Sequence, residues 1–275
     1  MTSLKKIILK GMKRFLRKKK ISIPMYPNGL ETAKAFVKPK NQLKNRRLDA
    51  PCWDDTRVVL SKVGRSSSSD YIHANWVDGH KKEKMFIATQ APMANTVNDF
   101  LAMVSQNSCR YIIVLTKIME NGVEKCFPYW PTEENMEVVT QHWALKFELK
   151  SLGLDIQKYV LSLSPYRGQQ KHQTIILYHY TNWPENRSPQ STEEFSKFLY
   201  TTKIWRGSSS NLNNDFEAPI VVHGSDGINR TVQYCTYYNI ADMIEDKEYS
   251  FTKEQAVSVM NNITMMRYSE IAILN

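Results

Sequence analysis

The sequence lacks the features that most quickly place a chain of this size. No stretch of its 275 residues approaches the roughly 20 apolar residues of a membrane-spanning helix. Charges interrupt the apolar residues of the N-terminus, where a signal peptide needs a continuous apolar run. The residue after Met1 is Thr2, so the myristoylation signal is absent. Cys52, Cys109, Cys126 and Cys235 contain no C-x-x-C pair, and reduced, mostly buried thiols are expected in place of disulfides or a metal site. There is no internal repeat, and nothing implies a cofactor. These absences point to a cytoplasmic protein.

What is present is a globular composition, 42% hydrophobic with six Trp, enough for a substantial core. The net charge of +10 is unevenly spread. Residues 1–20 hold Lys5, Lys6, Lys10, Lys13, Arg14, Arg17, Lys18, Lys19 and Lys20 and no acid, which leaves the rest of the chain near neutrality with 28 basic against 27 acidic residues. Leu4, Ile7, Ile8, Met12, Phe15 and Leu16 recur in this segment at helical spacing. Residues 1–23 therefore read as a basic amphipathic segment suited to an anionic membrane surface or an acidic partner. A solvated helix laid on the domain and a nuclear-import signal at Lys13 to Lys20 are alternatives, so a nuclear or membrane-associated fraction stays open. Nucleic acid is disfavoured, because the basicity does not continue into the fold.

Pro24, Pro27, Asn28 and Gly29 separate this segment from a domain expected over residues 24–275. Loops are expected at Gly64 to Ser69 and at Gly207 to Asn214. Apolar runs and alternation predict strands at 111–116, 143–149, 157–163, 174–180 and 218–223, with Trp143, Leu145, Phe147 and Leu149 sharing one face. Helical spacing predicts helices at 96–105, 192–204, 231–244 and 253–264, two of them opened by capping boxes, Ser191 with Glu194 and Thr252 with Gln255. Strands alternating with helices around a central meander give an α/β fold: a single domain with a twisted mixed β-sheet and helices on both faces.

The strongest local signal is VVHGSDGINRT, residues 221–231. An apolar strand leads into His223, then Gly224, Ser225, Asp226, Gly227, Ile228 and Asn229, and Arg230 and Thr231 open a helix. A strand, a small-residue loop and a helix start make a phosphate cradle, because backbone N–H groups and the positive helix end converge there.

His223, one residue, five residues, Arg230 and Thr231 reproduce the spacing of an H-C-x5-R-S/T signature, and here the sequence resembles the protein tyrosine phosphatases. KNRRLD (44–49), DDTRVVL (54–60), DYIHANWVDG (70–79), FIATQAP (86–92), TVNDF (96–100), KCFPYWP (125–131) and YTNWPENRSP (180–189) extend the resemblance over most of residues 30–275. CWDDTRVVLS and DYIHANWVDG look most like the tyrosine phosphatase-like proteins of the polydnaviruses (bracoviruses) of parasitoid wasps.

The resemblance implies a cysteine nucleophile where this chain has Gly224, and a general acid where Glu185 follows Trp183 and Pro184. It further implies an aromatic ring wall where Arg47 stands, a backbone-gripping carboxylate at Asp49, and a water-positioning glutamine where RYSEIA (267–272) carries Ala272. Arg187 takes the place of a hinge-like Gly, and Gln106 falls where a glutamate would orient the signature arginine, so that Arg230 is expected to lose its charged partner. Asp226 replaces a small Ala, and its carboxylate is expected to repel a phosphate; the closing helix is expected to be missing after Asn275. Catalysis is then not expected from Gly224, Glu185 or Ala272. The binding candidates are His223 and the loop residues 225–231, with Arg47 and Asp49 as remnants of substrate recognition and no metal ligands. The implied role is an inactive member that binds phosphotyrosine or another signalling protein. Residual phosphohydrolase chemistry through Ser225 and a scaffold tethered by residues 1–20 are the alternatives. A purely structural reading stands beside each residue: His223 as a hydrogen-bonded core residue, Arg230 as packing, Glu185 as a surface loop residue, Asp49 as a turn cap.

Overall fold

A computed structural model describes residues 33–61, 69–152, 156–166, 172–185, 187, 189–208 and 218–245. The basic segment 1–23, most of the loops expected at Gly64 to Ser69 and Gly207 to Asn214, the helix expected at 253–264 and Ala272 lie outside the described residues.

Eleven strands are described: β1 Arg57–Val59, β2 Tyr71–Val77, β3 Phe86–Thr89, β4 Tyr111–Val114, β5 Met119–Glu120, β6 Val123–Glu124, β7 Glu137–Val139, β8 Trp143–Leu152, β9 Ile156–Pro165, β10 Gln173–Tyr180 and β11 Ile220–His223. The helices are α1 Lys34–Val37, α2 Pro39–Gln42, α3 Val97–Gln106, α4 Thr192–Ser208 and α5 Asn229–Glu245. Nine strands form one sheet in the order β1-β2-β3-β11-β4-β10-β9-β8-β7, and β5 pairs with β6 as a separate hairpin. The four central strands β3, β11, β4 and β10 are parallel. Antiparallel pairs extend the sheet on both sides, β1-β2-β3 on one and β10-β9-β8-β7 on the other.

The central strands read as continuous apolar runs because both of their faces are covered, as parallel strands require. Ile112, Val114 and Val221 face a core closed by Phe100, Leu101, Met103 and Val104 of α3. Tyr111, Ile113, Ile220 and Val222 face the other, closed by Phe195, Phe198 and Leu199 of α4 and Val232, Tyr234 and Cys235 of α5. Period-two alternation thus places helices on both faces, as expected. All four cysteines are buried and unpaired.

Several expectations need correction in detail. The alternation of β8 breaks at a register irregularity between Phe147 and Leu149. Trp143, Leu145 and Phe147 are buried, but Leu149 is 59% exposed, because an extra residue in one strand turns the next side chain to the other face. Helix α4 continues to Ser208, past the expected end at 204 and into the expected loop. At its start Ser191 Oγ accepts the Glu194 N–H (3.2 Å), but the Glu194 carboxylate takes the Asn182 Nδ2 hydrogen bond (2.9 Å).

Candidate functional site

The parallel strands β3, β11 and β4 end at the same edge, with His223 in register with Thr89 and Val114. Such an edge is where open α/β sheets present their ligand loops. The chain leaving β11 is stitched to both neighbours: Leu115 N–H donates to His223 O and Ala91 N–H to Ser225 O, both at 2.9 Å. Gly224 N–H donates to Thr231 Oγ1 at 2.7 Å, which ties the start of the loop to the first turn of α5. Gly227 has φ +80°, and a Cβ there would lie 2.7 Å from the Gln90 nitrogen and the Thr89 carbonyl carbon, so only glycine lets the loop rest on the end of β3.

His223 is fully buried. Its Nδ1 lies 3.0 Å from Gly224 O and its Nε2 2.9 Å from the Tyr129 hydroxyl. A carbonyl can only accept, so Nδ1 carries the proton and Nε2 accepts from Tyr129. Burial pushes the pKa of this ring down to about 3, so it is neutral. It is the hydrogen-bonded core residue of the structural reading.

Gly224 is buried, and a Cβ built on it would sit 3.3 Å from Arg230 Cβ, 3.4 Å from Thr231 Oγ1 and 3.6 Å from Arg230 Nε. Residue 224 thus faces the signature arginine but brings no side chain to it. Ser225 donates its hydroxyl to Lys125 O at 3.1 Å. Asn229, at the start of α5, accepts from Gln233 Nε2 one turn on.

Arg230 does not lose its charged partner. Its Nη1 donates to Glu120 Oε1 (2.6 Å) and Trp183 O (2.9 Å), and its Nη2 to Thr116 Oγ1 (3.0 Å) and Glu120 Oε2 (3.5 Å). Burial opposes charge on Glu120, but the hydrogen bond and charge of Arg230 outweigh it and hold that carboxyl below its ordinary pKa. Gln106 is engaged elsewhere, accepting from Ser61 N–H and donating to Ser61 O, each at 3.0 Å. Sequence reasoning missed Glu120 because it is remote from the loop in the chain. Its one local signal is the Asn121-Gly122 turn, with both residues at positive φ, which folds β5 onto β6.

Trp183 also holds the segment that carries Glu185. Its ring packs on Phe195, with centroids 4.9 Å apart, and its Nε1 donates to Arg187 O at 2.8 Å. Glu185 is gripped by Lys125 Nζ at 2.6 and 2.9 Å. Lys125 therefore links the two segments, through its carbonyl to Ser225 and its ammonium to Glu185.

On the outer side, Arg47 donates through Nε and Nη2 to both oxygens of Asp49, at 2.9 and 2.7 Å, and through Nη1 to Asp226 Oδ2 at 3.4 Å. The Arg47 hydrogen bond lowers the pKa of Asp49 below the ordinary carboxylate value. Arg47 and Asp49, expected from the sequence as remnants of substrate recognition, thus pair with each other, and Arg47 reaches the loop as well. The repulsion expected from Asp226 is opposed by this contact. Among the described residues no group of three or more His, Cys, Asp or Glu could hold a metal ion, and no helix is long and apolar enough to cross a membrane.

The family model for protein-tyrosine phosphatase matches residues 41–272. The chain belongs to the protein-tyrosine phosphatase family. It is 39% identical over 203 residues to Probable tyrosine phosphatase protein N1 of Microplitis demolitor bracovirus, a match covering 72% of this chain and 62% of that protein. It is 32% identical to Tyrosine phosphatase-like protein H1 of the same virus, over 86% of this chain and 70% of the relative. The chain spans less than two thirds of the first of these relatives. A solved structure of PTPN18 in complex with HER2 phosphopeptides superposes with a TM-score of 0.70 at 24% identity, covering 86% of this chain and 91% of that one, which shows the same fold. In this phosphatase-family chain the signature segment keeps His223, Arg230 and Thr231 with glycine at 224.

Proposed function

We propose that this protein is a non-hydrolytic member of the phosphatase family that works by binding phosphorylated signalling proteins, phosphotyrosine proteins first among them. The observation that carries the reading is Gly224: a side chain at this position would start 3.3 Å from Arg230 Cβ, and glycine supplies none and so no nucleophile. Loss of the nucleophile from a covalent mechanism of this kind costs on the order of 10⁶ in rate. Glu185 is held by Lys125, and the Ser225 hydroxyl is turned to Lys125 O, which argues against Ser225 as a replacement nucleophile. The backbone loop is nevertheless intact, from Gly224 tied to Thr231 to Gly227 resting on β3.

The bracovirus relatives support a role in an infected host cell, where a phosphatase-family protein that holds but does not hydrolyse a phosphorylated target interferes with signalling or immunity. Residues 1–20 add a means of recruitment to an anionic surface or acidic partner, and the site of action is the cytoplasm.

The test is titration of the full chain with a phosphotyrosine peptide and its unphosphorylated counterpart, alongside an assay for hydrolysis of p-nitrophenyl phosphate. Preference for the phosphorylated peptide, competed by inorganic phosphate, without turnover is expected. Equal binding of the two peptides removes the phosphotyrosine reading. Turnover above background that is lost in Arg230→Lys removes the non-hydrolytic one.

A further inference from the structure

Asp226 is the single acidic residue of the segment 223–231, and both of its carboxylate oxygens are engaged. Oδ1 accepts the N–H of Ile228, a backbone donor of the loop, at 3.0 Å. Oδ2 accepts from Arg47 Nη1 at 3.4 Å, a contact between residues 179 positions apart in the chain. Arg47 is held in place from behind by its two hydrogen bonds to Asp49. The Asp226 side chain is 18% exposed and that of Arg47 35%, so the pair is partly open to solvent, whereas the Arg230 side chain is 3% exposed. Deeper in, Arg230 has both Nη groups committed to Glu120, Thr116 and Trp183 O.

A loop N–H and a guanidinium are the donors a tetrahedral oxyanion would use. Here they are turned to a carboxylate of the protein itself. We propose that Asp226 is a built-in counter-anion and that its bridge to Arg47 is an autoinhibitory contact across the mouth of the phosphate loop. A phosphate monoester gains the loop only by displacing the Asp226 carboxylate, and it then takes over Ile228 N–H and Arg47 as its own donors. A phosphate dianion has the charge to do this, since it carries two charges where the carboxylate carries one, and three acceptor oxygens against two. The proposal rests on the reading that the loop still holds an anion.

The experiment titrates the full chain with inorganic phosphate, and separately with a phosphotyrosine peptide and its unphosphorylated form. The proteins are wild type, Asp226→Ala, Asp226→Asn, Arg47→Ala and Asp226→Ala/Arg47→Ala. Asn keeps an oxygen for Ile228 N–H, so Asp226→Asn preserves the turn if the alanine variant unfolds. Removing the carboxylate charge tightens phosphate binding by about ten- to hundredfold, the effect of one like charge roughly 5 Å away at an effective dielectric near 20, lessened by its Arg47 partner. Adding Arg47→Ala to Asp226→Ala reverses most of that gain, because the inherited donor is gone. If both Asp226 variants bind phosphate no more tightly than wild type, or if Arg47→Ala leaves the gain intact, the inference is overturned. Tighter phosphate binding with no preference for the phosphorylated peptide in any variant leaves the inference standing and removes the phosphotyrosine reading. Phosphopeptide binding by wild type that neither Asp226 variant improves does the reverse.

Discussion

His223 should make folding stability depend on pH in a way that one substitution can isolate. The ring is fully buried with its Nδ1 on Gly224 O and its Nε2 on Tyr129, and burial brings its pKa to about 3, against about 6.5 in an unfolded chain. Above pH 6.5 neither state binds the proton, and the neutral ring is compatible with the fold. As the pH falls below 6.5 the unfolded chain takes up a proton that the folded one refuses until about pH 3, so stability declines by up to about 1.4 kcal/mol per pH unit. Between pH 7 and pH 5 this one group removes about 2 kcal/mol. His73 and His179, also pushed down by burial, add losses of the same sign. The measurement is urea denaturation at pH 7, 6 and 5 for wild type and His223→Asn. The variant is less stable at pH 7, having lost a buried partner for Tyr129, but its decline to pH 5 is smaller than that of wild type by about 2 kcal/mol. Equal declines in the two proteins would refute a neutral, buried His223.

Glu120→Gln leaves the Arg230 guanidinium buried without its counter-charge and should lower stability by about 3 kcal/mol by urea denaturation; a loss below about 1 kcal/mol would show that Trp183 O and Thr116 suffice. Gly227→Ala places a Cβ against the Gln90 nitrogen and Thr89 carbonyl carbon at positive φ, and a cost of at least about 2 kcal/mol is expected; a melting temperature equal to wild type contradicts that backbone path. Gly224→Cys fits with a shift of a few tenths of an ångström, and the thiol beside Arg230 should be alkylated by iodoacetamide in native protein at pH 7. The four native thiols, buried and raised in pKa, should stay unlabelled, so one label per chain is expected, and none would refute an accessible, ionised thiol beside Arg230. Lys125→Met frees Glu185 and should change stability by less than about 1 kcal/mol while speeding tryptic cleavage after the exposed Arg187; an unchanged cleavage rate would show that Trp183 alone holds that segment.

Periodicity carried the information for elements whose faces are uniform. The apolar runs at 111–116 and 218–223 mark strands buried on both faces, and the helical spacings before 106, after 191 and after 230 mark α3, α4 and α5 within a few residues. Strands β1, β2, β3 and β7 carried weaker signals. Tyr71–Val77 is almost wholly buried, so His73 and Asn75 interrupt its apolar pattern where their side chains find internal partners in Gln90 and Trp53 O. The outward turn of Leu149 follows from pairing register with β9, which no local pattern contains.

The loop at residues 223–231 shows the same division. Its composition was legible in the chain: Gly224 has no nucleophilic atom and Asp226 is acidic, whereas the close approach of Gly227 to the end of β3 was not. Identity and spacing within eleven residues suffice for the former. Which groups those residues meet was settled by strands that end together. Glu120 lies 110 residues from Arg230 in the chain, Lys125 60 from Glu185 and Arg47 179 from Asp226, and no local pattern links them. The sheet order brings them to one edge, and there Arg230 regains a carboxylate that Gln106 could not supply and Asp226 meets the guanidinium that balances it. Charge and reactivity belong to single residues, whereas partnership depends on distance, and distance is a property of the fold.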